Sequence, residues 1–169
     1  MLNGTPMAAL TLRLADVSEA QAIVDLIHCA CRGRLANFKS NFADKSGVET
    51  MIANGLFLVA AHEEKLIGCA YLEPSIGATS LELLAVCPTR QRSGIGSQLL
   101  EVAEQLSRKM QCLFMHVRVT NLDYTMLMFC RRRGYIQFGI EPMPSEPSPL
   151  PFHHLVAMSK QLDKQWHGF

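Results

Sequence analysis

One segment limits the fold more than any other: LELLAVCPTRQRSGIGSQLLEVAEQL, residues 81–106. An apolar run ends at a proline, a glycine-spaced turn follows, and the turn leads straight into a long amphipathic pattern. Ile95, Leu99, Ala103, Leu106 and Met110 recur at steps of three and four, the spacing of one helix face. Gln98, Glu101, Glu104 and Arg108 occupy the other faces, so a helix lying on a sheet is expected. A strand, tight turn and helix in this order present backbone N–H groups and the positive end of a helix dipole to one point in space. That is a site for a phosphate or pyrophosphate. The spacing is neither a dinucleotide fingerprint, since the first glycine of G-x-G-x-x-G is missing, nor a Walker loop, since no Gly-Lys-Ser/Thr follows.

The rest of the chain arranges itself around this unit. Thr11 to Leu14 reads as a first strand, and Ser18 with Gln21 reads as a capping box before Ala20, Ile23, Val24 and Ile27. A polar stretch interrupted by Leu35, Phe38 and Phe42 reads as a mobile loop or a short irregular helix. Ser46 with Glu49 then opens a short helix that Asn54–Gly55 closes. LFLVA, the polar turn HEEK and LIGCAYL form a hairpin, and ATSLELLAV adds a third antiparallel strand. CLFMHVRV is the next strand, a helix runs from about Asp123 to Arg133 with Gly134 at its C-terminal cap, and YIQFGI and FHHLVAMSKQL are the last strands. Between those two, EPMPSEPSPLP should project from the sheet edge. The chain is thus α/β in the α+β sense, with about seven strands and about four helices in a single domain, 1–169, whose core spans about 11–160.

A chain of 169 residues with 49% apolar and 18% charged residues can build its own core without a metal or disulfide. Sixteen Lys and Arg against fifteen Asp and Glu leave +1, too little for a general nucleic-acid binder. No stretch approaches the roughly eighteen apolar residues of a membrane span, and the N-terminus lacks an export signal, so a cytoplasmic protein is expected. Cys29, Cys31, Cys69, Cys87, Cys112 and Cys130 sit mostly in apolar segments and read as reduced thiols. His28 with Cys29 and Cys31 is badly spaced for zinc, and His153 and His154 point to opposite strand faces, so no metal is expected.

At residues 91–96, Gln-Arg-Ser-Gly-Ile-Gly resembles the signature of the GNAT superfamily of acyl-CoA-dependent N-acyltransferases: Arg or Gln, two residues, Gly, one residue, then Gly or Ala. AVCP resembles the family's preceding strand end, LRLADVSEAQAIVDLI its opening and RRRGY its Gly-Phe or Gly-Tyr after the fourth helix. The resemblance implies a mixed, mostly antiparallel sheet splayed between strand four, about Thr79 to Val86, and strand five, about Leu113 to Val119. The opened V would take the pantetheine arm of acetyl-CoA. Backbone N–H groups of Gln91, Arg92, Ser93, Gly94, Ile95, Gly96 and Ser97 would wrap the pyrophosphate, and Leu84, Ala85 and Val86 would pair with the arm and the thioester oxygen.

The implied reaction is transfer of an acetyl group to a primary amine by direct attack in a ternary complex. An acyl-CoA-binding sensor with little or no transferase activity is the alternative. Period two along strand four puts Ser80, Glu82, Leu84 and Val86 on one face, which makes Glu82 the candidate base, acting directly or through water, or else a group that holds a cationic substrate. The family's usual general-acid tyrosine is replaced by Cys130, which either protonates departing CoA or packs. Tyr124, earlier in the same helix, is the other acid candidate, and Asp123 stands where an Asn is usual. His116 reads best as a hydrogen-bonded sheet histidine. Arg131 to Arg133 read as a solvated helix end or, like Arg90 and Arg92, as phosphate ligands. The acceptor, a small molecule or a peptide amine, would lie between the loop of about 32–46 and the excursion of 141–151. The composition is also compatible with a homodimer.

Overall fold

A computed structural model describes residues 9–31, 42, 44–144 and 152–162. The elements are β1 (Thr11–Leu14), α1 (Ala20–Ala30), α2 (Lys45–Asn54), β2 (Leu56–His62), β3 (Lys65–Ser75), β4 (Ala78–Val86), α3 (Ile95–Lys109), β5 (Phe114–Thr120), α4 (Tyr124–Arg132), β6 (Ile136–Pro142) and β7 (His154–Gln161). The seven strands form one sheet in the order β1-β2-β3-β4-β5-β7-β6. All neighbours are antiparallel except β4 and β5, whose parallel pairing the α3 crossover makes possible. The mixed sheet and four helices therefore agree with the sequence reading. Most of the expected 32–46 loop, the excursion beyond 144 and the tail 163–169 lie outside the described residues.

Strand alternation divides the core between the two faces of the sheet. Leu58, Ala60, Ala70 and Leu72 pack under α3 and α4, whereas Phe57, Val59, Cys69 and Tyr71 pack under α1 and α2. Being covered on both faces is why β2 reads as an unbroken apolar run. Gly68 sets the height of α3: a Cβ there would stand 3.0 Å from Leu99 Cδ1 and 3.1 Å from Ile95 Cγ2. A buried bond of 2.7 Å between Thr79 Oγ1 and Ser107 Oγ ties the same helix to β4.

Both helix starts on that side differ from the sequence reading. Asp16, not Ser18, caps the first helical segment: its carboxylate accepts from Ser18 N, and Glu19 reaches back to Asp16 N at 2.9 Å. A 3-10 turn over Val17–Glu19 moves the start two residues upstream of the expected box. Likewise Asp44, extended and two residues before Ser46, accepts from Gly47 N at 2.8 Å and caps α2. In both places an ionised acceptor nearer the helix dipole takes the role expected of a hydroxyl.

The buried stripe of α3 is also rotated from the expected one. Leu100, Glu104 and Ser107 join Ile95, Leu99 and Ala103 inside, while Met110 is exposed. Glu104, expected on a solvated face, accepts from Lys160 Nζ at 2.8 and 2.9 Å and from the Tyr135 hydroxyl at 3.1 Å, with Arg108 at 3.4 Å. Burial and the Glu104 charge together push the Tyr135 phenol far above its ordinary range.

Candidate active site

The sheet opens where β4 and β5 part. They pair only from Ala78↔Phe114 to Leu81↔Val117; beyond that, Glu82–Val86 and Arg118–Thr120 diverge. A β-bulge marks the parting, for Leu81 pairs with Leu72 but Leu83 pairs with Tyr71, leaving Glu82 extra. Leu81 accordingly packs under α3, while Leu83 and Ala85 pack under α1 and α2, and Leu84 and Val86 return to the α3 side. The uniform alternation expected from Ser80 to Val86 is corrected here: Glu82 does not share a face with Leu84 and Val86.

The gap is a cleft of about 1070 Å³, lined by Glu82 to Val86 on one side, by Val117 to Thr120 on the other, and by Met126 and Phe129 of α4 above. Cys87 N donates to Ile67 O at 2.8 Å, toward β3. Strand alternation from that bond turns the N–H and C=O of Val86 and Leu84 toward the open edge and those of Ala85 toward β3. The outermost of these groups, Val86 C=O, accepts from Gln91 Nε2 at 3.1 Å, which ties the following loop to the strand end.

The loop carries two residues with positive φ, Arg92 at +60° and Gly94 at +86°. For Arg92 this conformation stores about 1–3 kcal/mol of strain, of the kind that clusters at ligand clamps. Gly94 caps α3 without a side chain, and nothing lies within 4 Å of where its Cβ would be. The first-turn N–H groups of Ile95, Gly96 and Ser97 are thus left for a ligand rather than capped by the protein. Gln91, Arg92, Gly94, Gly96 and Ser97 all line the cleft; the Ile95 side chain is buried in the core, and the Ser93 hydroxyl donates back to Arg90 C=O. This arrangement of donors, empty volume and helix end fits a pyrophosphate.

Arg132 and Arg133 reach the same end of the cleft. Arg133 Nη2 donates to Ser97 Oγ, and its guanidinium lies 5.3 Å from the centre of the Phe129 ring, so α4 is joined to the start of α3. The sequence reading of this run as phosphate ligands or a solvated end did not foresee that brace.

Toward the closed end of the V, Glu82 faces Arg118. Arg118 Nη1 lies 3.4 Å from Glu82 Oε1, and Arg118 Nε donates to Glu141 Oε2 at 2.7 Å. Sequence reasoning named Glu82 but passed over Arg118, although period two along β5 from Phe114 already put it opposite the buried Val117. The acid candidates stand apart from this pair. Cys130 is 1% exposed in the α3-side core, and burial, with the Asp123 charge second, pushes its thiol up to about 12. Tyr124 is 69% exposed and is not among the cleft-lining residues. Asp123 caps α4, accepting from Met126 N at 3.0 Å. His116 is a correction: it stacks on Phe114 with Phe138 tilted against it, and its buried Nδ1 has no hydrogen-bond partner among the described residues. Among the described residues no group of three or more His, Cys, Asp or Glu is placed to hold a metal, and no helix is long and apolar enough to cross a membrane.

Comparison with known proteins yields three findings. No curated protein sequence matches the chain. Among solved structures, YncA of Salmonella typhimurium, determined with its cofactor acetyl-CoA, superposes with a TM-score of 0.78 at 17% identity, over 96% of this chain and 99% of that one. The PaiA N-acetyltransferase of Thermoplasma acidophilum in complex with coenzyme A gives 0.74 at 17% identity over 90% and 99%. The ribosomal-protein-S18-alanine N-acetyltransferase of Escherichia coli gives 0.72 at 14% over 95% and 99%. At such identities these likenesses establish the fold. A family model described as an acetyltransferase (GNAT) domain matches residues 53–137, the half of the chain that contains the bulged strand, the glycine loop, α3 and α4, and the chain therefore belongs to the GNAT acetyltransferase family.

Proposed function

We propose that the protein is an N-acetyltransferase that moves an acetyl group from acetyl-CoA to a primary amine by direct attack in a ternary complex. The observation that carries this reading is the parting of β4 from β5 at Glu82, with an anion-binding loop at the far end of the cleft and a carboxylate at the near end. Structures of similar fold hold coenzyme A or acetyl-CoA.

In this reading the loop of Gln91, Arg92, Ser93, Gly94, Ile95, Gly96 and Ser97 takes the pyrophosphate on backbone N–H groups. The open edge at Leu84 and Val86, with Ala85 between them, pairs with the pantetheine arm, much as a missing strand would. The amine nitrogen attacks the thioester carbon, the C–N bond forms, and the C–S bond breaks with its electron pair leaving on sulfur. Glu82 takes the amine proton, directly or through one water. The departing thiolate needs a proton. A thiol held near 12 is a weaker acid than an ordinary one by about 3 units, roughly 4 kcal/mol uphill, so Cys130 serves packing and water in the open cleft supplies the proton. Tyr124, on the outside of α4, has no direct part.

The absence of an acid at Cys130 also favours a second reading, an acyl-CoA-binding sensor. Calorimetry with acetyl-CoA and thiol release across a broad panel of amines separates the two. Binding with turnover establishes the transferase; binding without turnover on any amine establishes the sensor.

A further inference from the structure

We infer that Arg133 is a positioning residue for the acyl donor, acting through Ser97, and that it makes the site select thioesters carrying a diphosphate over those ending at pantetheine. The inference rests on the reading of residues 91–97 as the pyrophosphate loop and names a determinant outside that loop. Arg133 stands at the C-terminal end of α4, 36 residues beyond Ser97. Both line the same end of the cleft. Arg133 Nη2 donates to Ser97 Oγ, and the guanidinium lies 5.3 Å from the centre of the Phe129 ring, one turn earlier in α4.

A hydroxyl that accepts from a guanidinium directs its own hydrogen elsewhere. Ser97 Oγ is thereby set as a donor in the first turn of α3, beside the uncapped N–H groups of Ile95, Gly96 and Ser97. Charge argues the same way. Among the described residues the side-chain partners of Arg133 are neutral, a hydroxyl and a ring, and the cation stands beside the positive end of the α3 dipole. Two positive contributions side by side repel each other, and an anion placed before them relieves both. A diphosphate diester brings two negative charges to that point, whereas pantetheine brings none. Arg90, Arg92 and Arg132 also line the cleft, but no hydrogen bond or ion pair fixes their side chains among the described residues. Each of them gives up more side-chain freedom on meeting an anion than Arg133, which contacts to α3 and α4 already hold in place.

The experiment measures the affinities of CoA and dephospho-CoA by calorimetry, and of pantetheine by saturation-transfer NMR, in the full chain and its variants. Arg133→Met should weaken CoA and dephospho-CoA alike by about tenfold, flatten the salt dependence of both, and change pantetheine less than about twofold. Ser97→Ala should cost CoA about fivefold, and the double variant should lose no more than Arg133→Met alone, since the two side chains act as one unit. Arg133→Lys should recover part of the loss. Where acetyl transfer is observed, the effect should fall on KM for acetyl-CoA and leave kcat unchanged. If Arg133→Met does not fold, Ser97→Ala and Arg133→Lys carry the same comparison. This pattern of binding with no turnover of any amine would uphold the inference and remove the transferase reading alone. Unchanged CoA affinity in Arg133→Met or Ser97→Ala, an equal loss for CoA and pantetheine, or full additivity of the two variants would overturn the inference and leave the loop reading standing. So would a loss confined to CoA and absent with dephospho-CoA, which would assign the arginine to the 3′-phosphate. No CoA binding by the parent chain would overturn both.

Discussion

Two carboxylates of this chain meet a long basic side chain, and they do so in opposite ways. Glu104, its side chain 7% exposed between α3 and β7, is held by Lys160 at 2.8 and 2.9 Å and by the Tyr135 hydroxyl, with every contact inside the fold. Glu82, 13% exposed at the bulge of β4, meets Arg118 at 3.4 Å, and the cation is 43% exposed to the cleft. The first site is a closed structural contact that ties α3 to β7. The second opens onto the cleft through its half-exposed cation. Burial of the carboxylate alone does not separate them; the length of the contact and the exposure of the cation do.

The comparison breaks most visibly at Glu104. Glu104→Ala leaves the Lys160 ammonium and the Tyr135 hydroxyl without their acceptor, and urea unfolding should show a loss of about 3–5 kcal/mol. A loss below about 1 kcal/mol would show that the closed site is not closed. Next in size, Glu82→Gln should lower turnover by about 10²-fold, equivalent to roughly 2.7 kcal/mol, and alter the pH profile of the rate. Stability and acetyl-CoA affinity should stay nearly as they were. Superimposable pH profiles of the two proteins would move deprotonation to another group.

Gly94→Val sharpens the open side at its other end. A β-branched residue at φ +86° is strained, and its bulk enters the empty space before α3, so CoA affinity by calorimetry should fall about tenfold or more in a protein that still folds. Unchanged affinity would place the pyrophosphate elsewhere. The last concerns Cys130, on the closed side, where no effect is expected at neutral pH. Its folded thiol is raised to about 12, so its contribution is fully present below the ordinary thiol range and fades as pH climbs from about 9 toward 12. Cys130→Ala should therefore make the alkaline loss of stability shallower by up to about 1.4 kcal/mol per pH unit, read from urea midpoints at several pH values. Mass spectrometry after rapid mixing with acetyl-CoA should find no acetyl group on this thiol in the parent protein; a kinetically competent adduct would replace direct transfer with a covalent route.

Much of this was legible beforehand where the determinants are local. The glycines and periodicity of residues 78–109 locate β4 and the start of α3 closely, because the turn chemistry lies in the turn itself. The family signature stands in the same stretch, and the match over 53–137 agrees with it. What stayed hidden depends on partners far along the chain. Glu104 reads as solvated until Lys160, 56 residues later, is brought beneath α3. The bulge at Glu82 is a shift in register of β4 against β3, and no pattern within ATSLELLAV announces it. The helix caps fell between these cases: the right residue types were present twice within three positions, and two-residue offsets decided which acted.

The bulge also makes β4 two short strands in series, each with its own inside and outside. Upstream of Glu82 the strand belongs to the continuous sheet, and its side chains answer to α3 through Thr79 and Leu81. Downstream, the same chain presents a bare edge to the cleft while Leu83 and Ala85 answer to α1. A single extra residue therefore acts as a swivel between a scaffold and a docking rail. Removing it would leave every residue of the rail intact and in order, yet face each one the wrong way.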